Sequence, residues 1–157
     1  MKLGLCVGVM LAISVLDIAR AELLPIAHDL DSDAAQAAAR EVPIVIMFSS
    51  DECPYCDLIA RYYLGPLAAD PATAERAVIR MVKDDATPIV DFAGVRMSHA
   101  EFSARQGVQL VPTLRFFSSA GERLADDLVG VGVEDFYLAY LYQRLDQAHT
   151  ALLSSGN

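Results

Sequence analysis

Two cysteines separated by two residues, Cys53-Pro54-Tyr55-Cys56, are the groups in this chain best placed to do chemistry. At that spacing, at the start of a helix, two thiols can close into a disulfide and reopen without moving the backbone. The unpaired amides and dipole of a helix N-terminus also favour a thiolate on the first of them. The same spacing equally supplies half of a zinc site. The rest of the chain bears on that choice.

Several elements have to place the pair. Ile44-Val45-Ile46-Met47-Phe48 is a near-continuous apolar run opened by Pro43, which predicts a strand over 44–49 buried on both faces. Residues 50–53 form the turn out of it. Pro54 suits a first helical turn, where its missing N–H costs nothing. Leu58 with Tyr62 and Ile59 with Tyr63 then repeat at i,i+4, and Gly65-Pro66 break or kink that helix. Upstream, Asp31-Ser32-Asp33 caps an Ala-rich first helix. Downstream, 77–82 reads as a strand and 86–97 as an inserted loop. Ser98 and Glu101 form a capping box that opens a short helix, which Gly107 ends. Residues 114–118 and 123–129 pair about a turn at 119–122. Apolar residues at 137, 141, 145, 148 and 152 mark a long C-terminal helix. This order predicts an α/β fold, a mixed sheet with helices on both faces.

Residues 1–21 have the pattern of a secretory signal: Lys2, an apolar core over 3–16, and Ala19-Arg20-Ala21. That core is shorter than the roughly 20 residues a membrane-spanning helix needs. Cleavage after Ala21 is expected, with a membrane anchor left by an uncleaved signal as the alternative. Residues 22–157 contain no repeat or linker and read as a single domain. Losing Lys2, Arg20 and Asp17 leaves 136 residues with 10 basic and 20 acidic side chains, a net charge of −10 against −9 for the whole chain. Such acidity argues against nucleic acid as a partner. Cys6 leaves with the signal, so the remaining cysteines are both in the motif. Only His28, His99 and His149 could complete the four ligands a zinc site usually takes, and each is far from the motif in sequence. No metal is expected. An exported, periplasmic chain with one cysteine pair points to thiol chemistry.

The element order, with Cys-Pro-Tyr-Cys at the first strand-to-helix turn, resembles the thioredoxin superfamily over nearly all of 30–150. A second segment, Gly107-Val108-Gln109-Leu110-Val111-Pro112-Thr113, is similar to that family's segment ending in a cis-proline and a threonine. The resemblance implies a thioredoxin-like three-layer sandwich in which a cis Pro112 lies beside the cysteines and limits what can approach them. The lead-in PIVIMFSSDECPYC and the tail GVGVEDFYLAYL also resemble exported thioredoxin-like proteins of the SoxW type, found with periplasmic sulfur-compound oxidation. The chain departs from the family pattern in two places. Thioredoxins have Trp-Cys-Gly-Pro-Cys, whereas here Glu52 precedes Cys53 and the chain has no tryptophan. Thioredoxins also carry a buried aspartate six residues before the first cysteine, which assists proton transfer to the second, and Met47 stands at that position.

On this reading Cys53 is the exposed nucleophile that forms a mixed disulfide with a partner, and Cys56, one turn deeper, resolves it. A purely structural disulfide closing so short a loop would constrain the unfolded chain little. Pro54 and Tyr55 tune the pair, and Val111, Pro112 and Thr113 form a backbone edge for an extended partner peptide. The Cys53–Cys56 disulfide is the only redox group required. The expected partners are protein thiols and disulfides, with a membrane thiol reductant recharging a monomeric protein. Asp51, Glu52 and Asp57 flank the motif as solvated surface or, if they act on Cys53, as charges that disfavour its thiolate, which points to a reductase. His99 is given no catalytic role. The alternatives are an oxidase, a disulfide isomerase, or a non-enzymatic protein binding Cu(I) or Zn through the same cysteines. An isomerase usually needs a dimerisation module, for which 136 residues leave no room.

Overall fold

Ile44–Ser49 forms β1, and all six of its residues are buried, as the unbroken apolar run predicts. The structure is a computed structural model describing residues 24–155, so the expected signal segment lies outside it. β1 pairs in parallel with β2 (Val78–Lys83) and antiparallel with β5 (Thr113–Phe117), which in turn pairs antiparallel with β6 (Leu128–Val129). The sheet order is β2-β1-β5-β6. Alternation along β1 divides the core in two. Val45 and Met47 join one apolar layer, and Ile44, Ile46 and Phe48 join the other.

Helices close each layer. On the Ile44 side lie α1 (Leu30–Arg40), contributing Leu30, Ala34 and Ala37, and α5 (His99–Arg105), contributing Phe102. On the Val45 side a helical run follows the cysteines: α2 (Pro54–Leu58), a π-helical turn (Ile59–Leu64) and α3 (Gly65–Ala69). The short α4 (Pro71–Ala74) then leads to β2. α6 (Tyr137–Ser155) covers the same side with Tyr137, Leu141, Leu145 and Ala148, entered through a 3-10 turn at Glu134–Phe136. The result is the expected three-layer thioredoxin-like sandwich.

The structure corrects four local expectations. Residues 86–97 are not a loop but a hairpin of β3 (Pro88–Val90) and β4 (Arg96–Ser98), with Ile89 and Met97 turned into the α1 side of the core. Strands of three residues are too short to show a period of two. The helix after Cys56 does not break at Gly65-Pro66, because the turn before Pro66 widens. The Gly65 amide donates to Ala60 O, five residues back, and this π winding accommodates a proline whose ring would otherwise crowd an ordinary helical turn. The cap of α1 is Asp29, whose carboxylate accepts the Ser32 amide at 2.9 Å, while Asp31 and Asp33 fall in the first turn. The partner of β5 is shorter than 123–129. After a single bridge between Phe117 and Arg123 the chain leaves the sheet, and Asp127 turns to bind two arginines.

Candidate active site

The motif sits where β1 runs out of the sheet into α2. Cys53 is the N-cap of α2, with extended backbone, and its Sγ accepts the Cys56 amide at 3.1 Å. An amide aimed at that sulfur favours its charged form. Pro54 occupies the first helical position, as expected. Cys53 and Cys56 are joined in a disulfide with a Cα–Cα separation of 5.2 Å. The two sulfurs differ in surroundings. Cys53 is half-buried at the rim, whereas Cys56 is 1% exposed in the layer that holds Met47, Ile59, Leu114 and Tyr137. The outer cysteine is the one a partner can reach.

The second predicted segment arrives from β5. Register sets Thr113 opposite Phe48, at the end of β1 from which the chain turns to Cys53. The Val111-Pro112 peptide bond is cis. Val111 is half-buried and packs on the same layer as Cys53, while Pro112 and Thr113 are buried. The Thr113 hydroxyl donates to Leu110 O at 2.7 Å, and the Gly130 amide donates to Pro112 O at 2.8 Å. Gly107, at φ 68°, ends α5 with its amide on Ala104 O and turns the chain toward this segment. Tyr55 points outward at 63% exposure. The structure therefore gathers Cys53, Cys56, Val111, Pro112 and Thr113 at one end of the sheet, with Pro54 and Tyr55 at its exposed edge.

Residues 30–143 match the family described as the thioredoxin-like domain. The chain belongs to that family. No curated protein matches it by sequence. Among solved structures, thioredoxin O2 from Arabidopsis thaliana in its oxidized state is 20% identical, with a TM-score of 0.48, over 77% of this chain and 93% of that one. A poplar thioredoxin h is 21% identical, with a TM-score of 0.48, over 74% and 95%. A chain from the complex of ferredoxin:thioredoxin reductase with thioredoxin f2 is 15% identical, with a TM-score of 0.51, over 77% and 96%. At such identities the last likeness concerns the fold alone. A thioredoxin-like domain with a closing Cys-x-x-Cys pair supports thiol–disulfide exchange as the chemistry of this site.

Against the thioredoxin pattern, Met47 is buried at 0% exposure among apolar side chains, with no ionisable group in place of the family's aspartate. A lysine at the end of β2 instead lines the same cavity as Cys56. Ser49 pairs with Lys83, so the parallel ladder brings the end of β2 to the end of β1. Lys83 Nζ donates to Asp51 Oδ1 at 2.9 Å. The hydrogen bond to Asp51 comes first among the influences that raise the lysine above its ordinary value, with Asp51, Asp85 and Asp57 adding charge and partial burial opposing them. Asp51 is thus compensated, and its contribution against a Cys53 thiolate is smaller than the sequence implied. Glu52 and Asp57 remain exposed beside the motif. Sequence reasoning passed over Lys83, Leu110 and Val129. Only the parallel pairing of β1 and β2 could have signalled Lys83, since it puts their carboxyl ends together.

His99, given no catalytic role from sequence, is fully buried on the far side of the sheet. The Lys83 amide donates to its Nδ1 at 3.0 Å, which places the ring proton on Nε2, donating to Ala27 O at 2.7 Å. Burial, opposed by the Ala27 bond and by Asp85, lowers its pKa, and His28 and Lys83 lower it further. Asp85 is held low by its side-chain and backbone bonds to Thr87.

Proposed function

We propose that this protein is an exported thiol–disulfide oxidoreductase that reduces protein disulfides in the periplasm. The observation that carries the reading is the asymmetric pair: a rim sulfur bonded by a helix amide and a covered sulfur one turn further on, next to the Val111-Pro112 edge. In the reducing direction the Cys53 thiolate attacks a partner disulfide, a mixed disulfide forms, and one partner thiol leaves. Cys56 then displaces the second partner thiol and closes the Cys53–Cys56 disulfide. Leu110, Val129, Val133 and Phe136 are exposed at 67, 48, 56 and 57%. Val129 lies opposite Thr113, and the Tyr63 hydroxyl donates to Glu134 O, which ties this apolar stretch to the site. Such a surface suits an extended, partly apolar polypeptide.

The exported, SoxW-like assignment rests on residues 1–21, the lead-in PIVIMFSSDECPYC and the tail GVGVEDFYLAYL. The protein works as a monomer with no cofactor beyond its cysteines and is recharged by a membrane thiol donor. Equilibration with glutathione tests the direction. A potential at or below about −200 mV is expected, and one near −120 mV would make the protein a disulfide donor instead. Mass spectrometry of the purified protein tests the chemistry: a reversible two-proton mass change is expected, and bound Cu or Zn with free thiols would overturn it.

A further inference from the structure

Resolving a mixed disulfide requires Cys56 to lose its proton, and its surroundings oppose that. A thiol 1% exposed in an aliphatic and aromatic layer gains little from ionising there. Met47, in the same layer, offers no base. One side of Cys56 is different. A cavity of about 380 Å³ opens beside it, lined by Ser49, Ser50, Asp51, Asp57, Arg61 and Lys83 on its polar side. A space of that size with that lining admits several waters. The Lys83 side chain is 34% exposed and fixed at the cavity by the 2.9 Å bond to Asp51.

We propose that Lys83, anchored by Asp51, is the positioning residue that makes Cys56 a competent resolving nucleophile. This rests on the exchange reading above. The ammonium group lowers the cost of a Cys56 thiolate, and the thiol proton passes to water in the cavity and out to bulk solvent. The thiolate then attacks Cys53 Sγ of the mixed disulfide. The Cys53–Cys56 bond forms and the bond from Cys53 to the partner sulfur breaks. The partner sulfur leaves with the electron pair and takes a proton from solvent. Over both steps two protein thiols are oxidised and one partner disulfide is reduced. The raised lysine pKa keeps the charge in place across the working range. Asp51, Asp57 and Asp85 act on the same ammonium, Arg61 lines the same cavity, and His99 holds the Lys83 amide from behind. The anions temper the effect, and of the charged side chains lining the cavity Lys83 and Arg61 favour a thiolate.

The test uses the reduced full-length protein and 4,4′-dithiodipyridine, a neutral disulfide whose thiopyridone product absorbs. Attack by Cys53 releases the first thiopyridone at a rate proportional to reagent. Resolution by Cys56 releases the second at a rate independent of it. In Lys83→Met the second release is expected to slow about tenfold at pH 7, with its pH profile displaced upward by about one unit. The first release should keep its profile, and Lys83→Arg should restore the second. A second release whose profile Lys83→Met leaves in place, or one that slows only together with the first, would overturn the role of Lys83. Absence of any second release from the unsubstituted protein would overturn the exchange reading itself.

Discussion

On the α1 and α5 side of the sheet the buried charged and imidazole side chains, Asp33, His99 and Arg115, are each partnered. Arg80 and Arg115 flank Ile46 in register on that face. Arg80 grips Asp33 at 2.6 and 3.0 Å, and Arg115 grips Asp127 at 2.7 and 2.9 Å and Gln106 O at 2.6 Å. Burial pushes Asp127 up, but its bonds to Arg115 and Arg123 outweigh that and hold it low. On the α2 and α6 side the layer is aliphatic and aromatic, and the Tyr137 hydroxyl is buried with no partner among the described residues. The polar face fixes the geometry of the strands. The dry face leaves Cys56 with few polar neighbours, so whatever charge reaches it does so from the cavity edge.

The sharpest way to break this comparison is at the thiols. Cys53→Ser should reduce insulin disulfides no faster than background, and Cys56→Ser should accumulate mixed disulfides visible on a non-reducing gel. Faster alkylation of Cys56 than of Cys53 in the reduced protein would reverse the two roles. The next effect belongs to the polar face. Arg115→Ala leaves the partly buried Asp127 with Arg123 alone and Gln106 O without its donor, and should lower unfolding stability by about 2–3 kcal/mol in urea. A cost under about 1 kcal/mol, the level of an exposed pair, would mean the face is not stapled as described.

Acid should weaken that same face. The folded-state pKa of His99 lies below its ordinary value of about 6.5, so the unfolded chain takes up the proton first. Its contribution is complete above that value and is lost as pH falls toward the folded value. Urea melts at pH 7.5 and pH 5 should show this loss, and His99→Gln should flatten that part of the pH dependence whatever its own baseline. The smallest effect is expected at Tyr137. Tyr137→Phe removes a hydroxyl that burial leaves unpaired and drives upward in pKa, with Tyr63 adding to the shift. Stability should stay within about 1 kcal/mol or rise. A larger loss would place an unseen polar partner in the dry layer.

Local signals made much of this legible in the sequence. The run 44–48, short, β-branched and opened by Pro43, fits a doubly buried strand, and Pro54 marked the helix start. Ser98 and Glu101 make both bonds of the capping box. Cys-Pro-Tyr-Cys and Val-Pro-Thr are short enough to be read where they stand. What escaped depends on partners distant in sequence. Lys83 reads as the end of a strand until the parallel ladder sets it beside Ser49. Leu110 reads only as a member of the segment leading to Pro112, and Val129 as strand, until Thr113 brings them to one edge. Asp51, read as an anion beside Cys53, is compensated by a lysine 32 residues away.

The π turn at Ile59–Leu64 carries one more residue than an ordinary helical turn over the same rise. Deleting a single residue there would restore common winding with the flanking segments nearly in place, and would set the Pro66 ring in an ordinary turn against the carbonyl four residues back. The spacing between the thiols and Pro66 thus behaves as a counted length, tolerant of substitution along its exposed face and intolerant of any change in number.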